Sequence, residues 1–135
     1  ARGMLWCSQV APGCENSLRL RVYGDKGGLE WAQEDPNYLW YTPFGEPKRL
    51  VTRHGAGAGE AAARMSRIPP GHPQGYLEGF ANLYSAAASA IQARRAGAAP
   101  SDILYPTVYD GLNGMKFIDA CVRSSARNAG WIALG

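Results

Sequence analysis

The side chains with which this chain could do acid-base or nucleophilic work are few: His54 and His72, Lys26, Lys48 and Lys116, and Cys7, Cys14 and Cys121. Their surroundings separate them. His72 stands between Gly71 and Pro73, in the rigid stretch Arg67 to Gly75 that runs directly into an amphipathic helix pattern. Free N–H groups at a helix start favour a neutral imidazole, a bound anion or a bound hydroxyl, so His72 is the candidate polar group of a cleft. Tyr76, one helical turn in, can present its hydroxyl to the same place, and Asn82 can do so if its side of the helix faces the cleft. Each has a plainer alternative: a structural histidine bonded to a nearby carbonyl, a tyrosine packed in a core, an asparagine making one buried hydrogen bond.

The remaining candidates carry less chemistry. His54 follows a strand beside glycines and reads as a solvated loop residue. None of the lysines lies in a motif that would lower its pKa for Schiff-base chemistry. The three cysteines are odd in number and lack C-x-x-C spacing, which argues against a disulfide framework or a zinc site and predicts buried or half-buried free thiols. Glu34-Asp35 sits in a turn, and Asp110 and Asp119 lie on a helix. No serine-nucleophile motif and no metal cluster is present.

The elements that must position His72 change character at its loop. Met4 to Val10 alternates loosely and predicts a strand; Leu18, Leu20 and Val22 alternate with Arg19, Arg21 and Tyr23 and predict a second. Gly24-Asp25-Lys26-Gly27-Gly28 supplies a tight reversal into Leu29 to Gln33. Further strands are expected over about Asn37 to Thr42 and Lys48 to Arg53, joined by short turns into an antiparallel meander. Ala58 to Met65 reads as a short helix or a loop. Tyr76, Phe80, Leu83, Tyr84, Ala87 and Ile91 mark one face of a long helix ending near Ala96-Gly97. Asp102 to Tyr105 reads as extended. Thr107 is placed as the N-cap of a last helix along Leu112, Met115, Ile118 and Val122, and Trp131 to Leu134 as a closing strand.

The result is an α+β domain with a predominantly antiparallel sheet. Trp6, Trp31, Trp40, Tyr38 and Tyr41 cannot share one sheet face; one face is expected to meet the chain's own helices and the other a second subunit, the alternative being edge aromatics with wet tips. Gly57-Ala58-Gly59-Glu60-Ala61-Ala62 fits the dinucleotide pattern G-x-G-x-x-A formally. It fails in context, because Ile68-Pro69-Pro70 follows where a helix and a parallel strand are required.

Composition sets the outer bounds. A chain of 135 residues makes one domain, and 46% hydrophobic with 19% charged residues is a globular balance. The net charge of +3 comes from scattered residues, which excludes a phosphate-tracking stripe and so a nucleic-acid partner. No apolar run of about 18 residues predicts a membrane span, and a cytoplasmic location is expected. A start without Met that leads at once into a strand pattern predicts that the chain begins inside a larger protein, within a sheet.

Three segments carry a family resemblance: Val22-Tyr23-Gly24-Asp25-Lys26-Gly27-Gly28-Leu29-Glu30-Trp31, Gly71-His72-Pro73-Gln74-Gly75-Tyr76-Leu77-Glu78-Gly79-Phe80-Ala81-Asn82-Leu83-Tyr84, and Pro106-Thr107-Val108-Tyr109-Asp110-Gly111-Leu112. In this order they resemble the C-terminal part of the glucose-fructose oxidoreductase and inositol dehydrogenase (Gfo/Idh/MocA) family. The resemblance implies a two-domain dehydrogenase: an N-terminal Rossmann domain holding NAD or NADP, then a domain of which residues 1–135 are part. Its antiparallel sheet would carry helices on one face and subunit contacts on the other. It implies hydride transfer to or from a sugar or polyol, with His72 and Tyr76 on the substrate side and no catalytic or cofactor-binding residue in this chain. The family's glycine loop, Glu-Lys-Pro and Asp-x-x-x-His motifs are absent here, so the chain alone is expected to be inactive. The competing expectation is a non-catalytic carbohydrate-binding or assembly module of the same fold.

Overall fold

In the computed structural model, the described residues are 2–100 and 104–135. They divide into two compact units, Ala1–Phe80 and Ala81–Gly135, with the boundary inside a helix. The extended segment expected over Asp102 to Tyr105 falls largely on residues outside the described ones.

The first unit is built on four strands, β1 (Arg19–Gly24), β2 (Gly27–Ala32), β3 (Tyr38–Pro43) and β4 (Arg49–Thr52), hydrogen-bonded in sequence order and antiparallel throughout. The meander and the α+β class are as expected. The register places Leu20, Trp31, Leu39 and Val51 across one face, with Val22, Leu29 and Tyr41 beside them. Arg21, Glu30, Trp40 and Leu50 line the other. There Lys48 lies 3.1 Å from the Glu30 carboxylate and 5.0 Å from the centre of the Trp40 ring, joining an ion pair to a cation–π contact.

Two connections explain how the sheet closes. Asp25 and Lys26 form a two-residue turn between Gly24 and Gly27. At Gly27 the backbone runs so near β3 that an added Cβ would lie 2.5 Å from the Thr42 carbonyl oxygen. The β2–β3 turn is tied by Trp31 Nε1, which donates to the Pro36 carbonyl at 3.2 Å. At the start of β1, the Glu34 carboxylate accepts from the N–H groups of Asn16 (3.1 Å) and Ser17 (2.9 Å), which holds its pKa below the usual carboxylate range.

Three expectations are corrected. Met4 to Val10 is not a strand, and the first strand begins at Arg19; Met4, Trp6 and Val10 are exposed and no ladder pairs them. Trp131 to Leu134 is likewise unpaired, with Trp131 fully exposed. Alternation supplies a face but not a neighbour, and a strand needs both. Cys7, Cys14 and Cys121 are free as expected but exposed rather than buried, since the N-terminal segment has no partner and Cys121 lies on an open helix face.

After the sheet come α1 (Glu60–Met65) and α2 (Tyr76–Arg95), the first turn of α2 belonging to the first unit. The second unit holds the rest of α2 and α3 (Val108–Ala126). α2 ends where Gly97 N–H donates to Arg94 O (3.1 Å) and Ala98 N–H to Ala93 O (2.9 Å), the paired bonds of a Schellman motif. α3 is capped by Thr107, whose N–H and hydroxyl both donate to the Asp110 carboxylate at 2.7 Å and lower its pKa. Its far end turns through Asn128 (φ 55°), with Ala129 N–H bonded to Ser124 O at 2.9 Å. Among the described residues only Ala120 is buried, and no helix is long and apolar enough to cross a membrane.

The close approach at Gly27 gives a direct test. Gly27→Ala forces the added methyl into the Thr42 carbonyl, and a loss of about 2 kcal/mol in unfolding free energy is expected by urea denaturation. Gly3→Ala, where the added methyl meets no atom within 4 Å and the backbone is not left-handed, is the control for loss of a glycine.

Candidate functional site

The loop before α2 cannot hold itself together. Pro69 and Pro70 have no N–H, so the carbonyls around them need donors from elsewhere. Pro70 and Gly71 (φ 81°) occupy the central positions of a turn with the pattern of type II, closed by His72 N–H to Pro69 O at 3.4 Å. The outside donor is Arg53, just past β4. Its Nη1 donates to Ile68 O (2.8 Å), and its Nη2 to both Pro69 O (3.0 Å) and His72 O (2.8 Å), the first and last residues of the turn. Its Nε donates to Asn37 Oδ1 at 3.0 Å, and its own backbone N–H to Asn37 O at 2.8 Å.

Asn37 Oδ1 also accepts the Gln74 N–H at 3.0 Å. Gln74 in turn binds the incoming limb: its Oε1 accepts from Arg67 N–H (2.7 Å) and Ile68 N–H (3.2 Å), and its Nε2 donates to Met65 O (3.0 Å). The histidine loop is thus fastened to the end of β4 and the start of β3. Arg53, Asn37 and Gln74 escaped the sequence reading because they act on backbone groups distant in sequence. The available signal was the pair of prolines, whose neighbouring carbonyls require a multivalent donor.

His72 is exposed, and its Nδ1 lies 3.3 Å from the Pro70 carbonyl oxygen. A carbonyl only accepts, so the contact is a hydrogen bond when Nδ1 carries the hydrogen; in that neutral tautomer Nε2 holds the lone pair that can accept a hydrogen bond from a ligand hydroxyl. The structural role considered for this histidine therefore exists, on one ring nitrogen. Tyr76 is 74% exposed, and its ring stands 4.8 Å from that of Phe80 at 50°, giving an aromatic wall at the start of α2. No hydrogen bond joins His72 to Tyr76 among the described residues. Asn82 is half-buried and belongs to the second unit, and His54 is an exposed turn residue (φ 58°).

The helix start is not an open anion site. Glu78 reaches back, its Oε2 accepting the Gly75 N–H at 2.9 Å, and this bond is the main cause that lowers its pKa. Its own N–H acts in the same direction, desolvation opposes both, and the charges of Arg53 and Arg67 lower the pKa to a lesser extent. A carboxylate already in place disfavours a second anion and suits a neutral hydroxylic ligand. The pattern Gly-x-x-Glu at 75–78 was the readable sign of this capping.

Other parts of the chain offer less. The Gly57-Ala58-Gly59 stretch leads into α1, six residues long, in a unit whose sheet is wholly antiparallel, so these residues do not fit a nicotinamide dinucleotide, which needs a βαβ frame. A depression of about 360 Å³ is lined by Gly13, Cys14, Glu15 and Glu34, and the Glu34 carboxylate is committed to Asn16 and Ser17. Among the described residues no cluster of His, Cys, Asp and Glu could hold a metal ion.

The family model of an oxidoreductase C-terminal α/β domain matches residues 1–134. The chain belongs to the Gfo/Idh/MocA oxidoreductase family. It is 71% identical to an oxidoreductase from Sinorhizobium meliloti, with a TM-score of 0.93 over 98% of this chain and 36% of that one. An inositol dehydrogenase homolog from Azotobacter vinelandii, complexed with NADH and myo-inositol, is 33% identical with a TM-score of 0.85, over 93% of this chain and 34% of that one. Uncharacterized oxidoreductase YfiI of Bacillus subtilis (strain 168) is 31% identical over 134 residues, 98% of this chain and 34% of its own length. The chain therefore spans about a third of these relatives.

The capping at Glu78 predicts a pH dependence. The folded-state pKa is depressed, so the stabilisation is fully present above the ordinary glutamate pKa and is lost as pH falls through the lower folded value. Across that acidic window, the stability difference between the unaltered chain and Glu78→Gln, followed by circular dichroism, should shrink to nothing. A difference that stays constant with pH would assign the bond no ionic character.

Proposed function

We propose that this chain is the substrate-binding domain of a two-domain NAD(P)-dependent oxidoreductase acting on a sugar, cyclitol or related polyol. The nicotinamide cofactor supplies hydride exchange with a hydroxyl-bearing carbon. It is held by an N-terminal Rossmann domain outside this chain, and the lysine of the family's Glu-Lys-Pro motif, the catalytic group of the resemblance, also lies outside it, so the domain alone has no dehydrogenase activity. His72 accepts a hydrogen bond from a substrate hydroxyl at Nε2, and Tyr76 shapes the wall beside it.

The observation that carries this reading is the placement of His72, an exposed imidazole with Nδ1 beside the Pro70 carbonyl, on an anchored loop at a helix start whose Gly75 N–H is already taken by Glu78. Likeness to an inositol dehydrogenase homolog complexed with NADH and myo-inositol supports the substrate and cofactor classes. The protein assembles through the sheet face of Trp40, where Tyr23 is 70%, Trp40 41% and Leu50 46% exposed.

The test uses the complete protein and a panel of cyclitols and aldoses beginning with myo-inositol, followed through nicotinamide absorbance with NAD and with NADP. His72→Ala should raise the KM for the best polyol roughly tenfold, the equivalent of one lost hydrogen bond, with NAD(P) affinity unchanged. An unaltered KM removes His72 from the site, and no turnover with any member of the panel removes the polyol class. Tyr76→Phe should leave KM near its starting value, and Tyr76→Ala should raise it. For assembly, Trp40→Glu should lower the oligomeric state measured by light scattering; a monomer before substitution overturns that part.

A further inference from the structure

The guanidinium of Arg53 does something unusual for a charged side chain: three of its four side-chain hydrogen bonds go to backbone carbonyls of one loop, those of Ile68, Pro69 and His72. Two converge from Nη2 on the ends of the turn that carries His72, and the fourth ties the group to Asn37, which also holds Gln74 N–H. The contact of His72 Nδ1 ends on Pro70 O, inside the same turn. The bonds at Pro69 O and His72 O hold the two ends of the turn at the end of β4, and so fix where the backbone of His72 stands and from where its ring projects.

From this geometry we propose that Arg53 is a positioning residue for substrate binding: it touches no substrate, and it fixes the turn so that the Nε2 acceptor of His72 meets a polyol hydroxyl. The inference rests on the proposed role of His72. Its chemistry is specific to arginine. A planar fork with five N–H donors can serve a side-chain oxygen and three carbonyls together, whereas the ammonium of a lysine has three donors, no plane and no fixed divergence. Arg53→Lys therefore keeps the charge beside Glu78 and loses the geometry.

A double-mutant cycle in the complete protein tests this, using the polyol of the panel that the unaltered protein turns over fastest. Arg53→Lys should raise the polyol KM roughly three- to tenfold, the range for one weakened hydrogen bond, with NAD(P) affinity unchanged. In the His72→Ala background the same change should add nothing to KM, because the group it orients is gone. An equal rise in both backgrounds would overturn the inference, showing that Arg53 acts otherwise than through His72. It is also overturned if His72→Ala raises KM and Arg53→Lys does not, an outcome that leaves the role of His72 intact. If His72→Ala has no effect, that role and the inference fall together. Should Arg53→Lys fail to fold, Asn37→Ser, which removes the acceptor of Nε and keeps the guanidinium, is run through the same cycle with the same criteria.

Discussion

The site depends on one guanidinium answering a shortage of donors. A loop with two consecutive prolines leaves carbonyls without local partners, and unpaired polar groups at a half-covered surface cost stability. Arg53 supplies those donors from the end of β4, and Asn37 steadies it from the start of β3. The sheet is therefore the anchor of the loop, and the hairpin geometry that aligns β3 with β4 fixes where the histidine stands. Because the bonds go to the ends of the turn, the path of the backbone through Pro70 and Gly71 starts and finishes at fixed points.

Electrostatics at the same junction favour a neutral ligand. The positive end of α2 and the Arg53 charge would together attract an anion, yet Glu78 occupies that position through the Gly75 N–H. What is left exposed beside it is the His72 imidazole and the Tyr76 ring, the two groups on which the proposed polyol contact rests. Membership of an oxidoreductase family agrees with this surface without dictating it, since chemistry within a fold is set by its site.

Much of the fold was legible because its signals were local. The alternation of Leu20 and Val22 with arginines, the two-residue turn before Gly27 and the cap at Thr107 each depend on neighbours within a few positions, and each appears in the structure. The unpaired ends were misread for the converse reason. Met4 to Val10 and Trp131 to Leu134 have strand-like composition, but pairing is a property of two segments, and neither has a partner. Of the site, His72 and Tyr76 were legible as residue types at a loop–helix junction. Arg53 was not, because its partners lie 15 to 19 residues away and are carbonyls, which have no residue type to read.

That the clamp grips backbone rather than side chains has an evolutionary consequence. Every residue presents a carbonyl, so Arg53 and Asn37 hold the turn whatever side chain stands at position 72. The residue at position 72 can be exchanged while the loop keeps its shape, so a lineage carrying this clamp can vary what the turn presents by single substitutions without first losing the platform.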